Sequence, residues 1–295
     1  MEIIDGKKIA SEIKTELKKK ISDVKSTLNI VPKLAVILIG DDKASEIYVS
    51  KKEQMADELG MKSLVCKFDK NVCQEEIEAK IEQLNDDNEV NAILLQLPIP
   101  KHLDKNKLIE LISPLKDVDG FTPLNAGFLS LGEPFVAPCT AVGIIELLNA
   151  YNVKMVGKHA VVVGRSNIVG KPLSQLLLNE NATVTVAHSK TENLAEITKT
   201  ADILISAVGI KNLITEDMVK KGAVVVDVGI TRDENNKITG DVDFENVSKK
   251  ASLITPVPGG VGPMTIAMLA SNTFNLFCIQ NEVEENWWEA HYQIL

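Results

Sequence analysis

Residues 161–172 read Val161-Val162-Val163-Gly164-Arg165-Ser166-Asn167-Ile168-Val169-Gly170-Lys171-Pro172. An apolar run typical of a buried strand passes into a glycine-containing turn and then into a helix, where backbone N–H groups and the helix dipole bind phosphate. The segment is not a regular GxGxxG fingerprint, because Ser166 stands where the second glycine would be. It is not an ATP-binding P-loop either, since Pro172 replaces the magnesium-binding Ser or Thr. The stretch therefore predicts the phosphate-binding turn of a Rossmann-like domain.

The residues across from this turn favour NADP over NAD. An NAD site usually has an Asp or Glu at the end of the second strand, where it binds the adenosine ribose. Here that strand ends in Ala187-His188-Ser189-Lys190, with no acid to repel a phosphate. Arg165, Ser189 and Lys190 instead offer donors suited to a 2′-phosphate. The alternative is that Arg165 and Lys190 are solvated surface cations.

Strand-like and helical patterns alternate on both sides of the turn, which predicts an α/β fold. The C-terminal half predicts a doubly wound parallel sheet. The predicted strands are 34–39, 63–68, 92–97, 159–163, 183–187, 203–208 and 224–228. The predicted helices are 9–28, 44–59, 75–84, 142–150, 172–178, 194–198 and 264–277.

Two domains are predicted from this alternation and from the chain length of 295 residues. Residues 113–138 are rich in Pro, Gly and Asp and lack periodicity, so we expect a long functional loop that leads out of the first domain. We predict a catalytic α/β domain at 1–138, completed by 264–295, and a Rossmann-like nucleotide domain at 139–263. The C-terminal helix is expected to pack back on the first domain.

Composition limits the classes of partner and the compartment. The net charge of −9, from 32 Lys and Arg against 41 Asp and Glu, argues against a nucleic-acid-binding protein. The four cysteines form no CxxC pair, which fits neither a zinc site nor a disulfide framework. The first residues are acidic where a signal peptide is basic, and no apolar run approaches the ~20 residues of a membrane helix. We expect a cytoplasmic protein that does not bind membranes.

Polar side chains in the first half suggest a second site. Tyr48 and Lys52 are four residues apart on a predicted helix and share one face, as an acid–base pair would. Gln96 ends an otherwise apolar strand, and Asp117 and Asp119 follow in the predicted loop, so these groups can converge at the carboxyl edge of a sheet. The alternatives are a half-buried core tyrosine with a solvated helix lysine, a strand-end glutamine facing water, and two turn-forming aspartates.

Five segments in order strengthen the hypothesis of a site. They are Tyr48-Val49-Ser50-Lys51-Lys52, Leu95-Gln96-Leu97-Pro98-Ile99-Pro100, Lys116-Asp117-Val118-Asp119-Gly120-Phe121, Val163 through Pro172, and Thr255-Pro256-Val257-Pro258-Gly259-Gly260-Val261-Gly262-Pro263-Met264-Thr265. Together they resemble the signatures of the bifunctional methylenetetrahydrofolate dehydrogenase/methenyltetrahydrofolate cyclohydrolases, and the resemblance runs from Asp5 to about Phe277.

The resemblance implies an enzyme that oxidises 5,10-methylenetetrahydrofolate with NADP and hydrolyses the methenyl product to 10-formyltetrahydrofolate. Lys52 would be the base or proton shuttle, Tyr48 would stack near the folate, Gln96 would bind Lys52, and Asp119 would anchor the pterin ring. Further implied site residues are Pro258, Gly259 and Gly260 for the folate, and Gly164, Arg165, Ser166, Ser189 and Ile230 for NADP. A homodimer built through the nucleotide domains, and the absence of a metal, are also implied.

Two positions depart from the family pattern, since Ala141 replaces a usual proline and Thr231 follows Ile230 where asparagine is usual.

Two other functions remain open: an NAD-dependent enzyme with the dehydrogenase activity alone, and a non-catalytic dinucleotide-binding sensor. The tail after Gln280, with Trp287, Trp288 and Tyr292, is interpreted as a docking surface, an ordered cap or a frayed end.

Overall fold

The computed structural model describes residues 1–232, 234 and 237–283. Its strands are β1 (Glu2–Ile3), β2 (Lys33–Ile39), β3 (Lys62–Phe68), β4 (Ala92–Leu95), β5 (His159–Val163), β6 (Thr183–Ala187), β7 (Ile203–Ser206), β8 (Val224–Asp227), β9 (Thr231–Arg232), β10 (Ile238–Thr239) and β11 (Leu253–Ile254). Its α-helices are α1 (Gly6–Leu28), α2 (Lys43–Leu59), α3 (Gln74–Asp86), α4 (Lys105–Leu111), α5 (Pro123–Leu131), α6 (Cys139–Ala150), α7 (Gly170–Asn179), α8 (Leu194–Thr198), α9 (Phe244–Val247) and α10 (Val261–Gln280).

The chain divides into two compact units. The six-stranded unit contains Met1–Glu12 and Pro138–Met268, and the three-stranded unit contains Ile13–Ala137 and the described residues from Leu269 onward. The first residues thus belong to the unit that is otherwise built from the second half of the sequence. The assignment of the folate to 1–138 and of NADP to 139–263 stays a prediction.

The six-stranded unit is built on a parallel sheet with the strand order β1-β11-β8-β7-β5-β6. Strands are added on both sides of β5, which confirms the predicted doubly wound topology. The central strands are rich in Val, Ile and Leu, as expected for a parallel sheet with both faces covered. The carboxyl ends of β5, β7 and β8 lie side by side at one edge.

The edge strand β1 is absent from the sequence prediction. Glu2 and Ile3 pair in parallel with β11, and a strand of two residues is too short to show any periodicity. Asp5 then starts α1, since its Oδ1 accepts hydrogen bonds from the N–H groups of Lys7 and Lys8 at 3.0 and 3.1 Å. The N-terminal residues are therefore fixed at the sheet edge.

The three-stranded unit has the parallel order β3-β2-β4, with β2 in the centre. Its strands, and the helices α2 and α3, lie close to the predicted positions. Asp42 starts α2 by accepting the Ser45 N–H at 2.8 Å, and Gly60, at φ 79°, ends the helix in the left-handed conformation.

The prediction of an unstructured loop at 113–138 is wrong in part, because α5 lies within it. Thr122 caps this helix, Pro123 is its first residue, and Gly132 ends it at φ 84°. Proline in the first turn and glycine just past the end are the usual boundaries of a helix, so the composition that suggested a loop marks the two ends of a short helix. The short helix α4 is also missing from the prediction.

The part of the C-terminal helix α10 that follows Met268 belongs to the three-stranded unit, as expected. Asn272 Nδ2 donates to the carbonyl oxygens of Val118 and Ala137 at 2.8 and 3.0 Å, and Asn275 Nδ2 donates to Phe135 O at 2.7 Å. These side-chain amides bind the last part of the helix to the segment that leads out of the unit. The tail residues Trp287, Trp288 and Tyr292 lie outside the described residues.

Among the described helices, none combines the length and the hydropathy that a membrane span needs. Over the same residues, no group of three or more His, Cys, Asp or Glu side chains is arranged to hold a metal ion.

The departure at Ala141 is accommodated locally. This residue is buried in the first turn of α6, where backbone N–H groups make no hydrogen bond within the helix. Proline and alanine are therefore both compatible with the helix at this position.

Candidate active site and dinucleotide site

Lys52 and Gln96 are brought together in the three-stranded unit. Lys52 lies in the middle of α2, Gln96 follows β4, and Lys52 Nζ donates to Gln96 Oε1 at 2.8 Å. The Gln96 backbone N–H continues the sheet by donating to Ile37 O at 2.9 Å, and its side-chain amide donates to Leu97 O at 2.7 Å. Both side chains are partly buried. The amide oxygen is thus held in a fixed direction, toward the lysine, and the alternative of a glutamine that faces water is wrong.

Tyr48 lies one helical turn before Lys52 on α2, and 42% of its surface is exposed. The ammonium of Lys51 lies 5.8 Å from the centroid of its ring, a cation–π distance. The ring is therefore half-buried, and its contacts do not decide between a core role and a ligand-binding role. An exposed ring of this kind offers a flat apolar surface on which a planar ligand can stack.

Lys116 fixes the segment that carries Asp119. Its Nζ donates to the carbonyl oxygens of Leu84, Asn85 and Asp87 at 3.0, 2.7 and 2.8 Å, which satisfies acceptors at the carboxyl end of α3. Burial lowers the pKa of Lys116, because water no longer solvates its charge. Since these three hydrogen bonds of its ammonium all go to the backbone, Lys116 is a structural residue.

The two aspartates of this segment have different environments. Asp117 is buried, and its Oδ2 accepts from Thr122 N at 2.8 Å and Asn125 Nδ2 at 2.9 Å, so it forms the turn that leads into α5. For Asp117 the turn-forming alternative is correct. Asp119 is partly buried and lines a small indentation with apolar neighbours, among them Ile93 and Phe121.

In the six-stranded unit, two glycines let the backbone close the predicted phosphate-binding turn. Gly164 has φ 129°, donates from its N–H to Ala187 O at 2.8 Å, and has no room for a side chain, since a Cβ would lie 2.6 Å from Ala207 O. A Cβ on Gly170 would collide with the Gly164 carbonyl oxygen. The turn is therefore a backbone cradle at the start of α7, and such a cradle fits a dinucleotide phosphate.

Ser166 gives this cradle a different chemistry from that of a regular GxGxxG turn. Its Oγ accepts from Val169 N at 3.2 Å and Gly170 N at 3.3 Å, two amides that would otherwise be open at the start of α7. The serine that replaces a glycine of the usual motif thus caps the helix from within the turn.

The remaining predicted NADP residues lie at the carboxyl edge of the same sheet. Val163 and Ala187 are paired in register, and Arg165 and Ser189 each follow one of them by two positions. Both Arg165 and Ser189 are exposed. Ile230 comes shortly after β8 and is 55% exposed.

The turn that contains Pro258, Gly259 and Gly260 packs against the start of α1 within the six-stranded unit. Lys7 N donates to Gly259 O at 3.2 Å, and a Cβ on Gly6 would collide with the Gly260 carbonyl oxygen. Close approach of a ligand is the expected reason for these glycines. The structure supplies other reasons, since Gly259 has φ 110° and a Cβ on Gly260 would lie 2.7 Å from Pro256 O.

Asp227 and Asp241 are functional candidates that the sequence prediction missed. Both are buried at the carboxyl ends of β7 and β8, and burial raises the pKa of Asp227 to about 6, an effect that neighbouring backbone N–H groups oppose. An acidic residue at the end of the apolar run 224–226 is the one sequence signal for Asp227. Asp241 has no such signal, because its partners are distant along the chain.

Comparison with known families decides the identity of these two units. Residues 4–119 match the model of the tetrahydrofolate dehydrogenase/cyclohydrolase catalytic domain, and residues 138–281 match the model of the NAD(P)-binding domain of the same enzymes. The chain belongs to the tetrahydrofolate dehydrogenase/cyclohydrolase family.

Relatives within the tetrahydrofolate dehydrogenase/cyclohydrolase family match over nearly the whole chain. The bifunctional protein FolD of Streptococcus uberis is 52% identical over 273 residues, which are 92% of this chain and 96% of that protein. The crystal structure of the bifunctional FolD enzyme of Campylobacter jejuni is 51% identical, with a TM-score of 0.93 over 96% of this chain and 99% of that one.

A third family member was crystallised with ligands. The methylenetetrahydrofolate dehydrogenase-cyclohydrolase of Trypanosoma brucei, complexed with NADP cofactor and inhibitor, is 38% identical, with a TM-score of 0.91 over 96% of this chain and 98% of that one. The expected bifunctional dehydrogenase/cyclohydrolase with a nicotinamide-dinucleotide domain is confirmed by these matches. They do not support a monofunctional dehydrogenase or a non-catalytic sensor.

Proposed function

We propose that Lys52 is the base or proton shuttle that accepts a proton from water when this dehydrogenase/cyclohydrolase hydrolyses 5,10-methenyltetrahydrofolate, and that NADP is the hydride acceptor that oxidises 5,10-methylenetetrahydrofolate. The observation that carries the proposal is the 2.8 Å hydrogen bond from Lys52 Nζ to Gln96 Oε1. This hydrogen bond gives the lysine an uncharged partner and places it beside the carboxyl end of the buried strand β4.

The hydrolysis needs a group that takes a proton from water. Water adds to the methenyl carbon, one proton leaves the water, and opening of the ring gives 10-formyltetrahydrofolate with net release of one proton. A lysine can act as this base only in its neutral form. The amide of Gln96 accepts a hydrogen bond without adding a negative charge, so it stabilises the ammonium less than a carboxylate would.

The folate is assigned to the exposed ring of Tyr48 and to Asp119. A carboxylate accepts two hydrogen bonds from the amino group and the adjacent ring N–H of a pterin. The rigid attachment of the Asp119 segment through Lys116 and Asp117 supports this role, because binding then orders few additional groups. Pro258, Gly259 and Gly260 remain proposed folate residues on resemblance alone.

The NADP assignment rests on the glycine cradle and on the two exposed residues at its edge. Gly164 and Ser166 would hold the pyrophosphate, Arg165 and Ser189 would bind the 2′-phosphate, and Ile230 would contact the dinucleotide. The bound cofactor supplies the hydride acceptor, a chemistry that no side chain possesses. The NADP complex of the Trypanosoma brucei relative supports the choice of NADP over NAD.

We also propose a homodimer through the six-stranded units, in the cytoplasm. β6 is the last strand of its sheet in the described part of the chain, and Val186 on it is 40% exposed. Leu178 on α7 is 53% exposed. An unpaired strand edge with exposed apolar side chains favours association. The four cysteines are free thiols, which supports a reducing compartment.

The test is turnover with Lys52→Met and, as a control on the same helix, Lys43→Met, whose lysine is exposed at the start of α2. Absorbance follows NADP reduction and, separately, the decay of added methenyltetrahydrofolate. We expect Lys52→Met to lose about 10²-fold or more in cyclohydrolase rate, the usual contribution of a general base, and Lys43→Met to keep the wild-type rate. A Lys52→Met enzyme with the wild-type cyclohydrolase rate would overturn the assignment.

A further inference from the structure

Two buried carboxylates in the six-stranded unit have no part in the roles described above. Asp227 is 4% exposed and Asp241 is fully buried. A buried carboxylate is destabilising unless hydrogen-bond donors surround it. Here each carboxylate accepts hydrogen bonds from three groups, and these donors lie at the end of β7 and in the segments that follow β7, β8 and β10.

Asp241 holds the turn after β7. Its Oδ2 accepts from Ser206 Oγ at 2.9 Å and from Val208 N at 2.8 Å, and its Oδ1 accepts from Ile210 N at 2.8 Å. Gly209, between the two amides, has φ 70°. One carboxylate thus fixes the path of the chain from the end of β7 to Ile210.

Asp227 holds the turn after β8 and, through the backbone, Asp241 itself. Its Oδ1 accepts from Gly229 N and Asp241 N, both at 2.9 Å, and its Oδ2 accepts from Val242 N at 2.9 Å. A Cβ on Gly229 would collide with the Asp241 carboxylate. The position of one carboxylate therefore depends on that of the other.

Thr231 joins the two turns directly. Its Oγ1 donates to Gly209 O at 3.1 Å. The side chains on either side of this link, Ile210 and Ile230, are each 55% exposed, so each of the two turns presents a large aliphatic residue at the surface. They follow neighbouring strands at the carboxyl edge of the sheet, where open α/β sheets bind their ligands.

We propose that Asp241, Asp227 and Thr231 are positioning residues that hold Ile210 and Ile230 as a preformed apolar pair for the dinucleotide. This inference rests on the proposed NADP site. The three residues do not touch the cofactor; they fix the backbone from which the isoleucines project. Because the pair is held before binding, the dinucleotide does not have to order these turns, and its affinity rises accordingly.

The first experiment compares Thr231→Val with Thr231→Ser and with Thr200→Val. Valine removes the hydroxyl at nearly constant shape, and serine retains it. Thr200 is a matched control in the same unit, since its Oγ1 also donates to a backbone carbonyl, that of Ile197, at 2.7 Å. We expect Thr231→Val to bind NADP about 5-fold more weakly by calorimetry, the effect of one hydrogen bond, and the other two variants to bind like the wild type.

Two further measurements separate positioning from a general structural effect. Hydrogen exchange at the amides of Gly209 and Ile210, measured without cofactor, should be faster in Thr231→Val only, and KM for methylenetetrahydrofolate should stay unchanged. Ile210→Ala truncates an exposed side chain and should also weaken NADP binding, by about 3-fold. The effect is modest because the apolar area lost from the contact is small. This variant keeps the test decisive if Thr231→Val does not fold.

The outcomes distinguish the inference from the proposed function. If the wild type does not bind NADP, the NADP site and this inference are both wrong. If the wild type binds NADP, and Thr231→Val and Ile210→Ala bind it with the same affinity, the NADP site stands and the positioning role is wrong. If Thr231→Ser binds NADP as weakly as Thr231→Val does, the role assigned to the hydroxyl is also wrong.

Discussion

The ammonium of Lys52 and the amide oxygen of Gln96 are 2.8 Å apart, and the amide is itself anchored to the backbone of Leu97. The lysine on α2 and the end of β4 therefore form one hydrogen-bonded unit. Gln96 is thus an uncharged hydrogen-bond partner of Lys52 that is itself held by the backbone.

Gln96→Glu tests the importance of that charge. A carboxylate in this position favours the protonated lysine, so we expect the cyclohydrolase rate at neutral pH to fall about 10-fold or more and its pH profile to shift toward higher pH. Gln96→Met, which has no amide acceptor, provides the comparison, since it should lower the rate without that shift. Unchanged pH profiles in both variants would argue against a tuning role for Gln96.

Arg165 should discriminate NADP from NAD. Arg165→Ala removes a charge-assisted hydrogen bond that only the 2′-phosphate can accept, so we expect NADP to bind roughly 10- to 100-fold more weakly and NAD affinity to stay the same. Titration of both dinucleotides measures the ratio. Lys221→Ala, at an exposed position of the same unit, is the control for general loss of positive charge. An equal loss for both dinucleotides would place Arg165 elsewhere on the cofactor.

Lys116 should contribute to stability and to folate binding together. Lys116→Met leaves three carbonyl oxygens at the end of α3 without this donor, and we expect a loss of about 2–4 kcal/mol in the free energy of unfolding. Because the Asp119 segment is then less fixed, KM for the folate should rise. Lys105→Met, at an exposed position of α4, should change neither quantity in denaturant titrations and kinetics.

Asp227 should make stability depend on pH in the mildly acidic range. Its pKa rises on folding from 3.8 to about 6, so the folded state binds the proton more tightly than the unfolded chain. Protonation of this group thus favours folding fully below pH 3.8, and the contribution is lost as pH rises through 6. Between pH 4 and pH 7 the lost stability amounts to about 2 kcal/mol.

The measurement compares the free energies of unfolding of the wild type and Asp227→Asn at about pH 4 and about pH 7. The wild type should lose about 2 kcal/mol relative to the variant between these values, because asparagine does not ionise. Asp23→Asn, which changes an exposed carboxylate on α1, should follow the wild type across the same range. A wild type that gains stability relative to Asp227→Asn as pH rises would contradict the predicted direction.

The parts of the fold that the sequence predicts correctly are those with repetition or with a local signal. β5 and the turn at Gly164 are read from an apolar run, a glycine and the helix that follows. β1 is not predictable in this way, because two residues have no period. α5 is missed because its proline and glycine mark helix ends and also occur in loops.

The proposed functional residues follow a similar division. Lys52 and Gln96 are 44 positions apart, and only the order of motifs in the chain links them before the structure shows their hydrogen bond. Ser166 is noticed as a missing glycine, but its capping of α7 depends on the folded turn. Asp241 is not predictable at all, since its hydrogen bonds go mainly to backbone amides, which any sequence supplies.

The pairing of β1 with β11 has a consequence for synthesis of the protein on the ribosome. Glu2 and Ile3 are synthesised long before their partners Leu253 and Ile254. The sheet of β2, β3 and β4 has all its strands by Leu95 and can form much earlier. β1 therefore has no sheet partner until Ile254 has been synthesised, so the edge of the six-stranded sheet can be completed only after the three-stranded sheet has all its strands.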